Sequence, residues 1–241
     1  MKKFREVKER AQKRKGGPKR LARLLPKVLT KAQLAKKSDD RFLAMMTRAI
    51  NQAGFKWSVV VQKWPQIEEA YHGFDIKKLS RLTPHDWDDY RNDKRIIRNP
   101  QKIYAVFQNL EFVRETAREH GSFAKFLANW PEEDQIGLQA HLKNHGSRLG
   151  GATAQWFMRY VGKDCFVLTH DVVVALQDAG LDIADNPTSK RDLAKVQDAF
   201  NEWHKQTKLS YSHLSKIAAY SVGINHEVEF IEEETKKYST E

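Results

Sequence analysis

Between Asn99-Pro100 and Gly121 the apolar residues Ile103, Val106, Phe107, Leu110 and Val113 recur at three- and four-residue spacing, the period of one face of an α-helix. Asparagine followed by proline marks the start of such a helix, and glycine marks its end. The same grammar recurs along the chain. Phe42, Leu43, Met45, Met46 and Ile50 form a stripe that stops near Gly54. Thr83-Pro84 with Asp86 reads as an N-cap, a first-position proline and an acid that complements the helix start. Ser189-Lys190-Arg191-Asp192 is a capping-box pattern ahead of Leu193, Val196, Phe200 and Trp203, and Leu214, Ile217 and Ala218 belong to a last helix. Trp64-Pro65 predicts an interruption. No stretch of alternating apolar and polar residues is long enough to demand a sheet, so the expected body is all or mostly α.

With 40% hydrophobic content over 241 residues, the chain can fill one sizeable core or two lobes sharing one. Its net charge of +11 is confined to one place. Residues 1–40 hold fifteen Lys and Arg against Glu6, Glu9, Asp39 and Asp40, so the whole excess lies there and residues 41–241 sum to zero. Gly16-Gly17-Pro18, followed by Leu21, Leu24, Leu25 and Val28, predicts a flexible basic start leading into a short amphipathic helix. Such an arm is either a solvated, solubilising extension or a phosphate-contacting one. After Gly223 the sequence turns acidic. The organisation expected is therefore a basic, partly helical arm over 1–40, a helical body over 41–223 and an acidic tail over 224–241.

No run approaches the roughly 18 apolar residues that cross a bilayer, and no apolar signal core follows the basic start, so no membrane partner is expected. The lone Cys165 cannot form an internal disulfide, and no cysteine–histidine cluster has zinc spacing. A protein without metal or cofactor, working as a monomer in a reducing cytoplasm, is the expectation.

The passage "HGSRLGGATAQWFMRYVGKDCFVLTHDVV", from His145 to Val173, carries the densest chemistry. A helix Gln135–Asn144, a tight turn Gly146-Ser147-Arg148-Leu149-Gly150-Gly151 and a second helix Ala152–Val161 make a helix-hairpin-helix over about 135–161. Glycines let backbone amides approach a phosphate closely, and the second helix adds its positive dipole end. An ordinary turn between two helices would read the same on its glycines alone. Asp171, ahead of Val172 to Leu176, either caps a buried helix or is an acid held at a sugar carbon.

From about Asp40 to Gly223 the chain resembles the helix-hairpin-helix DNA glycosylase superfamily, most closely proteins classed with DNA-3-methyladenine glycosylase I. The resemblance rests on ordered segments: Gln52-Ala53-Gly54-Phe55-Lys56-Trp57, Tyr71-His72-Gly73-Phe74-Asp75, Ile96-Ile97-Arg98-Asn99 with Lys102-Ile103, Gly121-Ser122-Phe123, and Leu142 through Met158. It implies a two-lobed helical helix-hairpin-helix DNA glycosylase fold with a basic N-terminal extension. The implied partner is double-stranded DNA, and the implied reaction is hydrolysis of the bond between sugar and an alkylated or otherwise modified base flipped out of the duplex.

In that resemblance Trp57 and Phe55, with Gln52, fall on the segment that lines the base pocket, where a flat π surface stacks a base. Trp64, Trp87, Trp130, Trp156 and Trp203 read as structural. Arg148, Gly150, Gly151 and Thr153 fall on the phosphate-gripping hairpin. Asp171 resembles the superfamily's catalytic aspartate, which stabilises an oxocarbenium-like transition state and orients water; a shift of one or two residues would put Thr169 or His170 in that slot. Strand-cleaving members carry a lysine in the first turn after the hairpin, where this chain has Gly151-Ala152-Thr153, so a monofunctional hydrolase is implied.

Three departures accompany the resemblance. Ala49 stands where the type I enzymes place a base-reading glutamate, one cysteine cannot build their zinc site, and Arg148 replaces the first hairpin glycine of the wider superfamily. The loss of the glutamate leaves a second class open, a non-catalytic DNA-binding protein on the same scaffold.

Overall fold

The computed structural model of the chain describes residues 3–238, and those residues contain helices and no strand. In chain order the helices begin with α1 (Phe4–Arg14), α2 (Pro18–Arg23), α3 (Lys31–Leu34), α4 (Asp39–Gln52) and α5 (Trp57–Ala70). After a 3-10 turn at His72–Phe74 come α6 (Ile76–Leu79), α7 (Pro84–Asp89), α8 (Pro100–His120), α9 (Phe123–Asn129) and α10 (Gln135–His145). The series ends with α11 (Ala152–Val161), α12 (His170–Asp178), α13 (Lys190–Thr207), α14 (Tyr211–Tyr220) and α15 (Val228–Tyr238). None of them is long and apolar enough to cross a membrane. The all-α expectation holds, and the described residues divide into two compact units.

One unit comprises 29–130 and 138–163. Its α4 and α8 are the stripes read from the sequence: Leu43, Ala44, Ile103, Val106 and Leu110 are buried in one cluster with Trp64, Ile67, Tyr71 and Phe74. The start and stop signals operate as read. Asn99 accepts from the Lys102 amide at the head of α8, Gly121 ends it at φ 81°, and Thr83 and Asp86 close a reciprocal capping box on α7. The interruption expected at Trp64-Pro65 does not occur, because α5 runs through Pro65. Proline forfeits one backbone bond there, but Val60, Trp64, Ile67 and Ala70 all bury from the same helix, and that packing outweighs the local penalty.

The other unit comprises 3–28, 131–137 and 164–238 of the described residues. The flexible basic start expected before Gly16 is instead α1, and the reason is apolar. Phe4, Val7 and Ala11 are buried at helical spacing, and the Phe4 ring lies 5.0 Å from that of Trp203 on α13. Four of the arm's arginines are likewise engaged. Arg10 pairs with Asp178, Arg20 with Glu229 and Arg23 with Glu232, while Arg14 donates to the carbonyls of Tyr220, Val222 and Gly223. Nor does the acidic segment trail away after α14: it forms α15, buries Val228 and supplies the carboxylates that meet α2. Basic start and acidic end are two halves of one packed element.

Candidate functional site

In the unit made of 29–130 and 138–163, α4 ends abruptly. Its last carbonyls have no intrahelical partner, and the Lys102 ammonium, from α8, takes those of Asn51 and Ala53 at 2.9 Å each. Burial pushes the Lys102 ammonium down from its ordinary range. Phe55, read as a pocket residue, lies over that ammonium at 5.0 Å and remains 46% exposed. Lys102 thus fixes where the chain turns from α4 into α5, and therefore where Gln52 and Trp57 stand.

Gln52 is only 2% exposed. Its Oε1 accepts from the Tyr160 hydroxyl at 2.8 Å, while its Nε2 is buried without an acceptor among the described residues. One turn earlier on α4, the buried Arg48 guanidinium lies 5.2 Å from the Tyr160 ring centre and 5.8 Å from that of Trp64. Burial lowers the Arg48 guanidinium from its usual value and raises the Tyr160 phenol to about 12. Tyr160 stacks on Trp156 at 5.9 Å, and Trp156 meets Trp57 edge-on at 4.9 Å. The structure therefore joins Gln52 and Trp57, named from sequence, to Arg48, Trp156 and Tyr160, which sequence reasoning missed. Trp156, read as structural, is Trp57's ring partner. Its signal was available, since Trp156 and Tyr160 are four residues apart and share one face of α11.

The hairpin has the expected boundaries, α10 to His145 and α11 from Ala152. Leu149 is fully buried and anchors it. Asn109, on α8, holds it from the side, donating to the Ser147 carbonyl at 3.0 Å and accepting the Ser147 amide at 2.8 Å. Gly146 is required by closeness, because a Cβ there would stand 2.6 Å from Leu149 Cδ1 and 2.8 Å from the Leu142 carbonyl. Arg148 adopts φ 57° and donates to Gln101 at 2.9 Å, and Gly151 adopts φ 54° as the N-cap of α11. Backbone bonding into α11 starts with the Thr153 amide on the Gly150 carbonyl, so the amides of Gly150, Gly151 and Ala152 precede the helix's own bonding pattern.

In the other unit, Asp164 caps α14 by accepting the amides of Tyr211 and Ser212 at 3.0 and 2.8 Å. Thr169 is the N-cap of α12 and accepts the Val172 amide, and His170 is exposed. Asp171 is half-buried in the first turn of α12. Its carboxylate lies against Gly223, where a Cβ would come within 2.6 Å of Oδ1. Among the described residues no group of three or more His, Cys, Asp or Glu side chains is gathered as a metal ion would require.

Residues 33–155, just over half of the chain, match the family described as methyladenine glycosylase. The chain belongs to the methyladenine glycosylase family. The match to the methyladenine glycosylase family takes in Gln52, Trp57 and the whole hairpin, and it ends before Trp156, Tyr160 and Asp171. A DNA-3-methyladenine glycosylase of Haemophilus influenzae is 30% identical over 76 residues, which cover 32% of this chain and 41% of that protein. The chain thus spans about two fifths of the length of the curated relative it matches. Among solved structures, 3-methyladenine DNA glycosylase I of Staphylococcus aureus is similar at 18% identity and TM-score 0.47, covering 69% of this chain and 88% of that one. An 8-oxoguanine glycosylase/lyase of Methanocaldococcus jannaschii, solved with DNA, is similar at 15% identity and TM-score 0.49, covering 78% and 83%.

Proposed function

We propose that the protein is a monofunctional DNA glycosylase that hydrolyses the N-glycosidic bond of a modified base flipped out of double-stranded DNA, acting as a monomer in the cytoplasm. The observation that carries this reading is the Gln52 amide. A buried donor left without an acceptor costs about 1–3 kcal/mol, and this one shares the family-matched segment with the half-buried Trp57 and is linked through Tyr160 to Trp156, the ring partner of Trp57.

In this reading the Trp57 ring, held by the perpendicular Trp156, stacks the base, and the Gln52 amide bonds its edge. The amides of Gly150 and Gly151, with Arg148 and Thr153 beside them, hold phosphates without reading sequence. Asp171 supplies the carboxylate. As the C1′–N bond breaks, its electron pair leaves with the base and positive charge grows on the sugar, where a carboxylate stabilises it. Water then adds to C1′ and gives its proton to that carboxylate. Ala152 and Thr153 offer no amine for a Schiff base, so the product is an abasic site in an uncut strand.

Product analysis tests this directly. Incubation with damaged duplex is expected to yield free base and alkali-labile sites with no strand break before alkali. Breaks formed without alkali contradict the monofunctional assignment, and duplex binding without base release leaves the non-catalytic DNA-binding reading instead.

A further inference from the structure

We infer that Arg14, on the N-terminal helix α1, is a positioning residue for the reaction: it holds the turn after α14 as a wall against the Asp171 carboxylate. The inference rests on the glycosylase reading in which Asp171 supplies that carboxylate. It extends the site to α1 and to the turn, both outside the family-matched residues 33–155.

The contact between carboxylate and turn is close on all three of its atoms. A Cβ on Gly223 would stand 2.6 Å from Asp171 Oδ1, 3.0 Å from Cγ and 3.2 Å from Oδ2, so the group lies over the bare face of that glycine. Gly223 also adopts φ 66°, a left-handed conformation that only glycine takes without strain. Among the described residues none donates a hydrogen bond to this carboxylate. Packing against the turn is therefore what limits its direction.

The turn is in its place because α1 grips it. The end of α14 leaves carbonyls without an intrahelical partner, and the Arg14 guanidinium takes three in a row. Its Nε donates to the Tyr220 carbonyl at 3.0 Å, and its Nη2 donates to those of Val222 and Gly223 at 3.0 and 2.6 Å. A planar fork of donors serves several acceptors at fixed angles, which a lysine ammonium on a flexible stem does less well. Arg10 adds a second tie, donating to Ser221 Oγ at 3.3 Å while pairing at 2.6 Å with Asp178, on the same helix as Asp171. On the far flank the buried Lys15 ammonium donates to Asn225 Oδ1 and the His226 carbonyl, and Asn225 donates back to the Arg14 carbonyl. Held on both flanks, the turn cannot retreat from the carboxylate. A shift of about 1 Å in a reacting group can cost about a hundredfold in rate, so this grip bears on chemistry as well as on folding.

The test is single-turnover base release from duplex DNA methylated with dimethyl sulfate, using the full chain, with affinity for the same duplex measured in parallel. Arg14→Met should slow release by about tenfold or more and leave affinity within about twofold, and Arg14→Lys should recover part of the loss. In the double variant with Asp171→Asn, release should be no slower than in Asp171→Asn alone, because the effect of Arg14 passes through that carboxylate. Gly223→Ala reaches the same carboxylate without touching α1 and should also slow release at unchanged affinity. Should Arg14→Met fail to fold, Arg14→Lys and Gly223→Ala decide. Release at the wild-type rate by Arg14→Met overturns the inference, as does a double variant in which the two losses multiply, the mark of a merely structural role. If Asp171→Asn is slow and Arg14→Met is not, this inference alone falls. If Asp171→Asn keeps full activity, or wild type releases no base, the reading beneath it falls and takes the inference with it.

Discussion

Tyr160 donates its hydroxyl to Gln52 Oε1 at 2.8 Å, and through that bond α11 fixes the one glutamine of α4 that faces the aromatic cluster. Tyr160→Phe removes the donor and leaves a buried amide oxygen unsatisfied, which costs about 1–3 kcal/mol. Denaturant unfolding should show that loss, together with weaker quenching of Trp57 and Trp156 by a bound base. An unchanged midpoint would mean that water replaces the hydroxyl.

The same hydroxyl contributes to the protein's behaviour in alkali. Burial raises Tyr90, Tyr160 and Tyr211 each to about 12, above the value of about 10 expected in an unfolded chain. A group held protonated more tightly in the folded state contributes stability that is complete below the unfolded value and lost as pH rises toward the folded one. As far as these groups are concerned, stability should be level from neutral pH to about 10 and fall between about 10 and 12. Unfolding midpoints measured across that range check it, and a decline complete by pH 9 contradicts it.

Arg148 gives the hairpin a built-in trade. At φ 57° a side-chain-bearing residue pays about 1 kcal/mol relative to glycine, so Arg148→Gly should leave the protein equally stable or up to about 1 kcal/mol more stable. It should also remove one phosphate contact, weakening duplex binding and reducing the salt slope by about 0.9. Stability by thermal melting and affinity at several salt concentrations separate the two effects.

The N-terminal segment is a structural element, and its truncation is correspondingly severe. Phe4→Ala should cost about 3–5 kcal/mol because it empties a site against Trp203. Deletion of residues 1–28 should melt α13 to α15 rather than trim a tail, visible as lost helicity and early proteolysis. The exposed pairs Arg20–Glu229 and Arg23–Glu232 contribute only about 0–1 kcal/mol each, so high salt alone should not reproduce that loss.

Local rules served the sequence reading well where local physics decides. The stripe from Ile103 to Val113, the caps at Asn99 and Thr83 and the hairpin from Gly146 to Gly151 were all legible, because period and capping act within a few residues. What was not legible depends on partners far along the chain. Pro65 reads as a break until Trp64 and Ile67 are seen to be buried. The charge of residues 1–40 reads as a free arm until Arg20 and Arg23 meet Glu229 and Glu232, about two hundred residues away. In the site, Gln52 and Trp57 stood out by motif, but Arg48, Trp156 and Tyr160 became functional candidates only through contacts between α4 and α11.

The most direct measurement of the central claim is base release from a panel of damaged duplexes, scored as free base and as abasic sites, for wild type and Asp171→Asn. Wild type should release a base, and Asp171→Asn should slow release by at least a hundredfold with duplex affinity unchanged, the size expected for a lost general base. Full activity of Asp171→Asn would remove Asp171 as the catalyst. Wild-type protein that binds every duplex in the panel and releases no base would contradict the account.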